Sequence, residues 1–341
     1  MSIARFIKQV VGAAGTDRDL SEADAFDMFA AMLDGGVADM ELGAGLCALV
    51  MKTQAAPELL GFYRAMSERM NLLRTPDTAL RPLIFAAYGG ARQEPNLLPL
   101  LVLLLQRLRV PVLLHGTLEG AGRIASAYIL RELGVLPARS LTEAQKSLND
   151  NFLAFLPTAL LCPGLAALLS LRSRLGISNP AHILVTLLDP FEVGGLRWIG
   201  TDEPQQLERL EMFLLATGFD ALLMKSTDGE PFANPRQRPR IKLFHRGKAT
   251  VLFEEELLLT GGPRWQLCAI DAHATAAWVK QAMAGEAPIP HPLVNQLACC
   301  LYACGYADDM NQAKAIAAIE TGSAHYKLKD RLTDGSRFRA P

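Results

Sequence analysis

Apolar residues in the first 75 positions recur at three- and four-residue spacing, the period of an amphipathic helix. Ser21 stands three residues before Asp24 in a helix-start pattern, and Phe26, Phe29, Met32 and Leu33 follow on one face. Gly35-Gly36 interrupts the run. A second helix is predicted near 41–52, and Pro57 can open a third that runs to about 73, with Leu60, Tyr63, Met66 and Met70 on its apolar side. No strand pattern occurs, so residues 1–75 are expected to form a small all-helical domain.

The pattern changes at Arg74-Thr75-Pro76. Short apolar runs now alternate with helical segments. Strands are predicted at 82–88, 110–114, 152–155 and 221–225, and a hairpin at 240–245 and 249–253 across Arg246-Gly247-Lys248. Helices are predicted at 97–108, 123–133 and 204–217, and near 271–284, 290–304 and 309–321. Strand–helix alternation predicts an α/β domain over 76–341, with a mostly parallel sheet and one antiparallel strand. The helices near 160–190 are expected to pack back on the helical domain. Ligands of such sheets bind beyond the carboxyl ends of the strands, where Gly89-Gly90 and His115-Gly116 both fall.

Half of the 341 residues are hydrophobic, a fifth are charged, and the net charge is -1. A folded chain is therefore expected, and any nucleic-acid binding must come from a local concentration of cations. The opening MSIARFIKQVVGAAG lacks the long apolar core of a secretory signal. No run approaches the ~18 apolar residues of a membrane span, so a cytoplasmic protein with no membrane partner is expected. The six cysteines form no CxxC pair, and Cys300 and Cys304 are spaced to share a buried helix face.

One segment supplies the local charge. NPRQRPRIKLFHRGKA, from Asn234 to Ala249, holds Arg236, Arg238, Arg240, Lys242, Arg246 and Lys248 and no acidic residue. Arg236, Arg238, Arg240 and Lys242 alternate, so an extended chain would set them in one row. Pro235 and Pro239 favour extension. Phe244 and Trp265 are candidate stacking groups for bases. A C-terminal group, Lys327, Lys329, Arg331, Arg337 and Arg339, is a second candidate, diluted by Asp330 and Asp334. The bland alternative for both is a solvated charged surface.

A helical domain, then a strand ending in Gly-Gly, then a strand ending in His-Gly, resembles the anthranilate phosphoribosyltransferase family. LGISNPAHILVTLLDP (175–190) and the closing NQLACCLYACGYADDMNQAKAIAAIETGSAHYKLKDRL extend the resemblance over nearly the whole chain. The family's polar motifs are degenerate. Its Gly-Thr-Gly-Gly-Asp loop is Ala86-Ala87-Tyr88-Gly89-Gly90-Ala91 here, without the aspartate. Its Asn-x-Ser-Thr is Asn96-Leu97-Leu98-Pro99, which keeps only the asparagine, and its Lys-His-Gly is Leu114-His115-Gly116. A downstream lysine is Arg123, and the arginine that recognises anthranilate aligns with Ser178. The acidic pair for magnesium falls near Pro231-Phe232, with Asp228 and Glu230 close by.

The pattern resembles the YbiB-type branch of the family, which implies homodimers, joined through the helical domain, that bind DNA and RNA. The leading expectation is thus a non-catalytic, largely sequence-independent nucleic-acid binder. Gly89, Gly90, Asn96, His115, Gly116 and Arg123 would be a vestigial phosphate site, and no cofactor is expected. The alternative is a magnesium-dependent transferase joining a phosphoribosyl group from 5-phosphoribosyl diphosphate to an aromatic or nucleobase-like acceptor, with Asp228 and Glu230 on the metal. A third reading is a regulatory protein that senses a nucleotide in the old cleft without turnover.

Overall fold

The computed structural model describes residues 2–12, 18–52, 54–120, 122–257 and 267–323. Trp265 and the C-terminal basic group lie outside them. The chain opens with α1 (Ala4–Val11), α2 (Glu22–Leu33), α3 (Asp39–Val50) and α4 (Ala56–Ser67). Ser21 caps α2 by accepting from the Asp24 amide and donating to Asp24 Oδ2 at 2.8 Å. Within this bundle the backbones of α2 and α4 nearly touch at Gly61. A Cβ there would lie 2.3 Å from the Glu22 carbonyl oxygen.

The third predicted helix ends at Ser67 rather than near 73. Beyond it the backbone is engaged by other elements: the Asn71 amide donates to Leu161 O and the Leu73 amide to Pro190 O, both at 2.7 Å. These bonds replace the helical ones.

The second half of the helical layer comes from later in the chain, as α8 (Thr158–Leu161), α9 (Pro163–Ser170), α10 (Arg172–Leu175), α11 (Ala181–Leu184) and a 3-10 turn at Val185–Leu187. Gly164 sits where a Cβ would be 2.2 Å from Leu33 O, so α9 lies against the end of α2. Phe29, Phe62, Leu165 and Leu184 share one core that reaches the sheet at Ile199, Leu223 and Phe244.

The main sheet of the described residues has seven strands in the order β3-β2-β1-β4-β5-β7-β8. These are β1 (Leu83–Ala87), β2 (Val112–Gly116), β3 (Leu153–Pro157), β4 (Leu196–Thr201), β5 (Ala221–Lys225), β7 (Ile241–His245) and β8 (Lys248–Phe253). The first five are mutually parallel. β7 is antiparallel to both of its neighbours, so it alone opposes the common direction. β6 (Gln237–Arg238) and β9 (Glu256–Leu257) form a separate ribbon. On the other face α5 (Leu98–Arg107), α6 (Ser126–Glu132), α13 (Ala272–Met283), α14 (His291–Ala303) and α15 (Met310–Glu320) close a second core, which contains Cys299, Cys300 and Cys304. α7 (Leu141–Asn151) and α12 (Pro204–Thr217) complete the described helices.

No hydrophobic pattern predicts the central strand β4 (Leu196–Thr201). Gly194 and Gly195 precede it and Arg197 interrupts its apolar run. In the fold Arg197 is 6% exposed, pairs with Asp189 at 3.1 Å, donates to Leu187 O and lies over the Phe219 ring. A buried cation with these partners behaves as a core residue. The helix expected over 123–133 begins at Ser126, because Ile124 first bridges to Ala91.

Candidate functional site

The loop after β1 is set by contact with a second loop. Gly90 takes φ 71°, in the left-handed region. A Cβ on Gly89 would lie 2.8 Å from Asp228 O, so residues 228–230 rest directly on the glycines. Those residues form a tight turn in which Asp228 (φ 55°) and Gly229 (φ 82°) are left-handed. The turn is closed by Thr227 and Glu230, whose amides and carbonyls exchange bonds of 3.1 and 2.9 Å.

This turn sends both carboxylates back into the glycine loop. Glu230 is fully buried and accepts from the Gly90 amide at 2.7 Å and from Ser126 Oγ at 3.0 Å. Ser126 Oγ accepts in turn from Asn96 Nδ2 at 2.9 Å, and Asn96 Oδ1 accepts from the Leu98 amide at the start of α5. Asp228 Oδ2 accepts from three successive amides, Arg92 at 2.9 Å, Gln93 at 2.8 Å and Glu94 at 3.3 Å. Successive backbone amides of this kind are an anion nest. Burial pushes the Glu230 carboxyl above its ordinary range, against the pull of donors from Gly90, Ser126, Asn96 and Gly89.

The metal expectation therefore meets a poor fit. Asp228 and Glu230 do come together on one loop, but both face N–H and O–H donors. No group of three or more His, Cys, Asp or Glu converges among the described residues. Pro231 O and the Ala233 amide are held by the Gln296 side chain at 2.9 and 2.7 Å, and Phe232 is fully buried. Arg123 Nη1 donates to Gly89 O at 3.3 Å and Asp228 O at 3.2 Å, stapling the two loops. A metal-bound diphosphate would need these donors for itself.

At the end of β2, a Cβ on Gly116 would lie 1.8 Å from Ala87 O, which explains the glycine by close approach of the strands. His115 is buried with Nδ1 3.3 Å from Thr158 Oγ1, and burial lowers its pKa to about 3. It is a neutral interior group at any ordinary pH. Beside the loops lies a polar cleft of about 250 Å³ that takes in Tyr88, Arg123, Arg172, Ser178 and Thr201. Ser126, Arg172 and Thr201 escaped the sequence reading. Thr201 ends the unread strand, and nothing local marks Ser126 as the bridge between Asn96 and Glu230.

The basic segment differs from the expected uninterrupted row. Residues 236–242 divide between the β6 ribbon and β7, so no single strand carries them. Each of the four alternating cations meets a carboxylate from elsewhere in the chain. Arg236 Nε lies 2.6 Å from Glu94, Arg238 Nη1 2.8 Å from Glu256, Arg240 Nε 2.8 Å from Glu254 and Lys242 Nζ 2.6 Å from Glu211. The acid-free stretch is acid-free in sequence only. Phe244 is fully buried and offers no stacking face. Arg246 and Lys248 stand exposed at the hairpin tip, where the side chains of both form no ion pair among the described residues.

A helical layer on an α/β sheet, with a glycine loop and a His-Gly end on neighbouring parallel strands, defines a phosphoribosyltransferase-type scaffold. Its glycine loop is here occupied by the chain's own acids, Asp228 and Glu230. Residues 5–70 match the model of the "Glycosyl transferase family, helical bundle domain". The chain is 37% identical over 316 residues to the uncharacterized protein YbiB of Escherichia coli strain K12, covering 92% of this chain and 98% of that one. It is 25% identical to an anthranilate phosphoribosyltransferase of Geobacillus thermodenitrificans, over 95% and 96% of the two chains. The crystal structure of anthranilate phosphoribosyltransferase from Thermus thermophilus superposes with a TM-score of 0.70 at 21% identity, over 96% and 97%. The chain belongs to the anthranilate phosphoribosyltransferase-like family, on its YbiB-type branch.

Proposed function

We propose that this protein is a non-catalytic nucleic-acid-binding homodimer built on an anthranilate phosphoribosyltransferase-like scaffold. The observation that carries the non-catalytic half is Glu230, buried against the Gly90 amide and Ser126 with Asp228 in the neighbouring nest. Phosphoribosyl transfer asks a protein mainly to position and neutralise charge. Here the groups for that work are turned inward. The binding half is supported by Arg246 and Lys248 at the β7–β8 tip. Arg240 is added to these, since its ion pair with Glu254 lies on the surface. Surface pairs contribute about 0–1 kcal/mol, so their cations can turn to phosphates at little cost. Contacts would be to the backbone of DNA or RNA and largely independent of sequence. Met40 and Met51, each 85% exposed at the two ends of α3, give apolar surface for a dimer through the helical layer.

Two titrations test this reading. Single-stranded DNA followed by fluorescence anisotropy should bind at low salt and weaken steeply as salt rises; absence of binding at low salt refutes it. Calorimetry with 5-phosphoribosyl diphosphate and magnesium should be silent. Magnesium-dependent binding would instead establish the transferase alternative, with Asp228 and Glu230 released from their present partners.

A further inference from the structure

A second cavity shares no lining residue with the cleft beside Gly89. It has a volume of about 290 Å³ and lies between the β6 ribbon, the end of β8 and the helices α14 and α15. Its floor is apolar, made by Ala298 of α14 and Ala318 of α15. Its wall carries Arg238, Lys314 and Asn295, and among the described residues no acidic one lines it.

Two cations converge on one ring there. The Arg238 guanidinium lies 5.2 Å from the centroid of Phe253, and Lys314 Nζ lies 4.9 Å from the same centroid. Arg238 is held in place from outside the cavity by Glu256 and by the Glu254 carbonyl, which takes its Nε at 3.0 Å. Lys314 is exposed and makes no ion pair among the described residues. Asn295 is only 6% exposed, and its Nδ2 lies 3.3 Å from His291 Nδ1, so its amide is oriented before any ligand arrives.

A fixed guanidinium, a free ammonium and an oriented amide over a small apolar floor suit a phosphate ester carrying a compact organic group. The volume is near the lower end of small-molecule sites, about 300 Å³, so the cavity suits a small ligand. We propose that this cavity seats a terminal nucleotide, its phosphate between Arg238 and Lys314 and its sugar and base against Ala298, Ala318 and Asn295. The choice of a nucleic-acid end over a free nucleotide rests on the function proposed above. The cavity itself does not.

The test uses the full chain and calorimetric titration with a thymidine dinucleotide bearing a 5′-phosphate, the same dinucleotide without it, adenosine monophosphate and a longer single strand. The phosphorylated dinucleotide should bind and its unphosphorylated twin should bind at least about tenfold more weakly, the worth of one charge-assisted contact. Lys314→Gln and Ala318→Leu should each weaken the phosphorylated dinucleotide by about tenfold or more. The first removes charge from an exposed residue, and the second fills the cavity while leaving both cations. Failure of the phosphorylated dinucleotide and adenosine monophosphate to bind overturns the proposal, as does binding that neither variant changes. A longer strand that binds the wild type and both variants equally overturns this site while leaving the nucleic-acid function standing. Variant-sensitive binding of adenosine monophosphate, with no binding of the longer strand, upholds the cavity as a nucleotide site and removes that function.

Discussion

Replacing Glu230 with alanine would empty the glycine loop of its internal anion. The direct partners it leaves are the Gly90 amide at 2.7 Å and Ser126 Oγ at 3.0 Å. Hydrogen bonds to a charged acceptor contribute about 1.5–3 kcal/mol each, so the two together stabilise by about 3–6 kcal/mol. Against that stands the cost of holding a carboxylate in the interior, several kcal/mol after relaxation. A net loss of roughly 1–3 kcal/mol is expected, or a fall of about 1–4 °C in Tm for a chain of this size. The informative part is the rescue. With its own acid gone, the loop should accept an external one, and inorganic pyrophosphate should raise the variant's Tm. A ligand at about a hundred times its Kd returns about 2.7 kcal/mol. Thermal unfolding of wild type and Glu230→Ala with increasing pyrophosphate measures both effects. The reasoning fails if pyrophosphate stabilises wild type as much as the variant, or if the variant loses no stability.

Neutralising the hairpin tip with Arg246→Gln and Lys248→Gln together should lower the slope of log affinity against log salt by about 1.4, since each single-strand phosphate contact contributes about 0.7; an unchanged slope removes the tip from the interface. Arg197→Met should cost up to about 3–5 kcal/mol in urea unfolding, because the buried Asp189 loses its cation and keeps only the Phe191 and Gly195 amides. Adding Asp189→Asn should recover part of the loss, and failure to do so would deny the pair its coupling. Burial holds His115 at about 3 from an ordinary 6.5, so the unfolded chain takes up a proton that the native one refuses. Its contribution is full above 6.5 and is lost as pH falls toward 3, so His115→Asn should flatten the decline in stability below pH 6.5. An unchanged pH profile would place the acid sensitivity elsewhere. Gly61→Ala should part α2 from α4, since the added methyl carbon meets Glu22 O at 2.3 Å, and cost more than about 2 kcal/mol; a Tm equal to wild type would refute that close approach.

Local periodicity and punctuation in the sequence determined most of the elements. Pro204–Thr217 and Ala221–Lys225 fall where the pattern placed them, because an apolar stripe bounded by a proline and a glycine needs no distant partner to be read. The two glycine-marked strand ends were legible for the same reason, while the departures at Ala91, Leu98, Leu114 and Pro231 were legible only against the motifs of the family the chain resembles. What the lost groups left behind was decided only in three dimensions. Asp228 and Glu230 read as a doubtful metal pair because composition shows that carboxylates are present, not which donors they face. The turn at 228–229 turns them onto Gly90, Ser126 and the 92–94 amides, residues 104 to 140 positions away. The β4 strand stayed hidden because Arg197 breaks its hydrophobic run and is satisfied by partners brought to it by the fold, among them Asp189, the Leu187 carbonyl and the Phe219 ring. The basic segment is the reverse case. Its cations were plain in the sequence, and only packing brought Glu94, Glu211, Glu254 and Glu256 against them, since charge neutralisation depends on distance in space and not on neighbours in the chain.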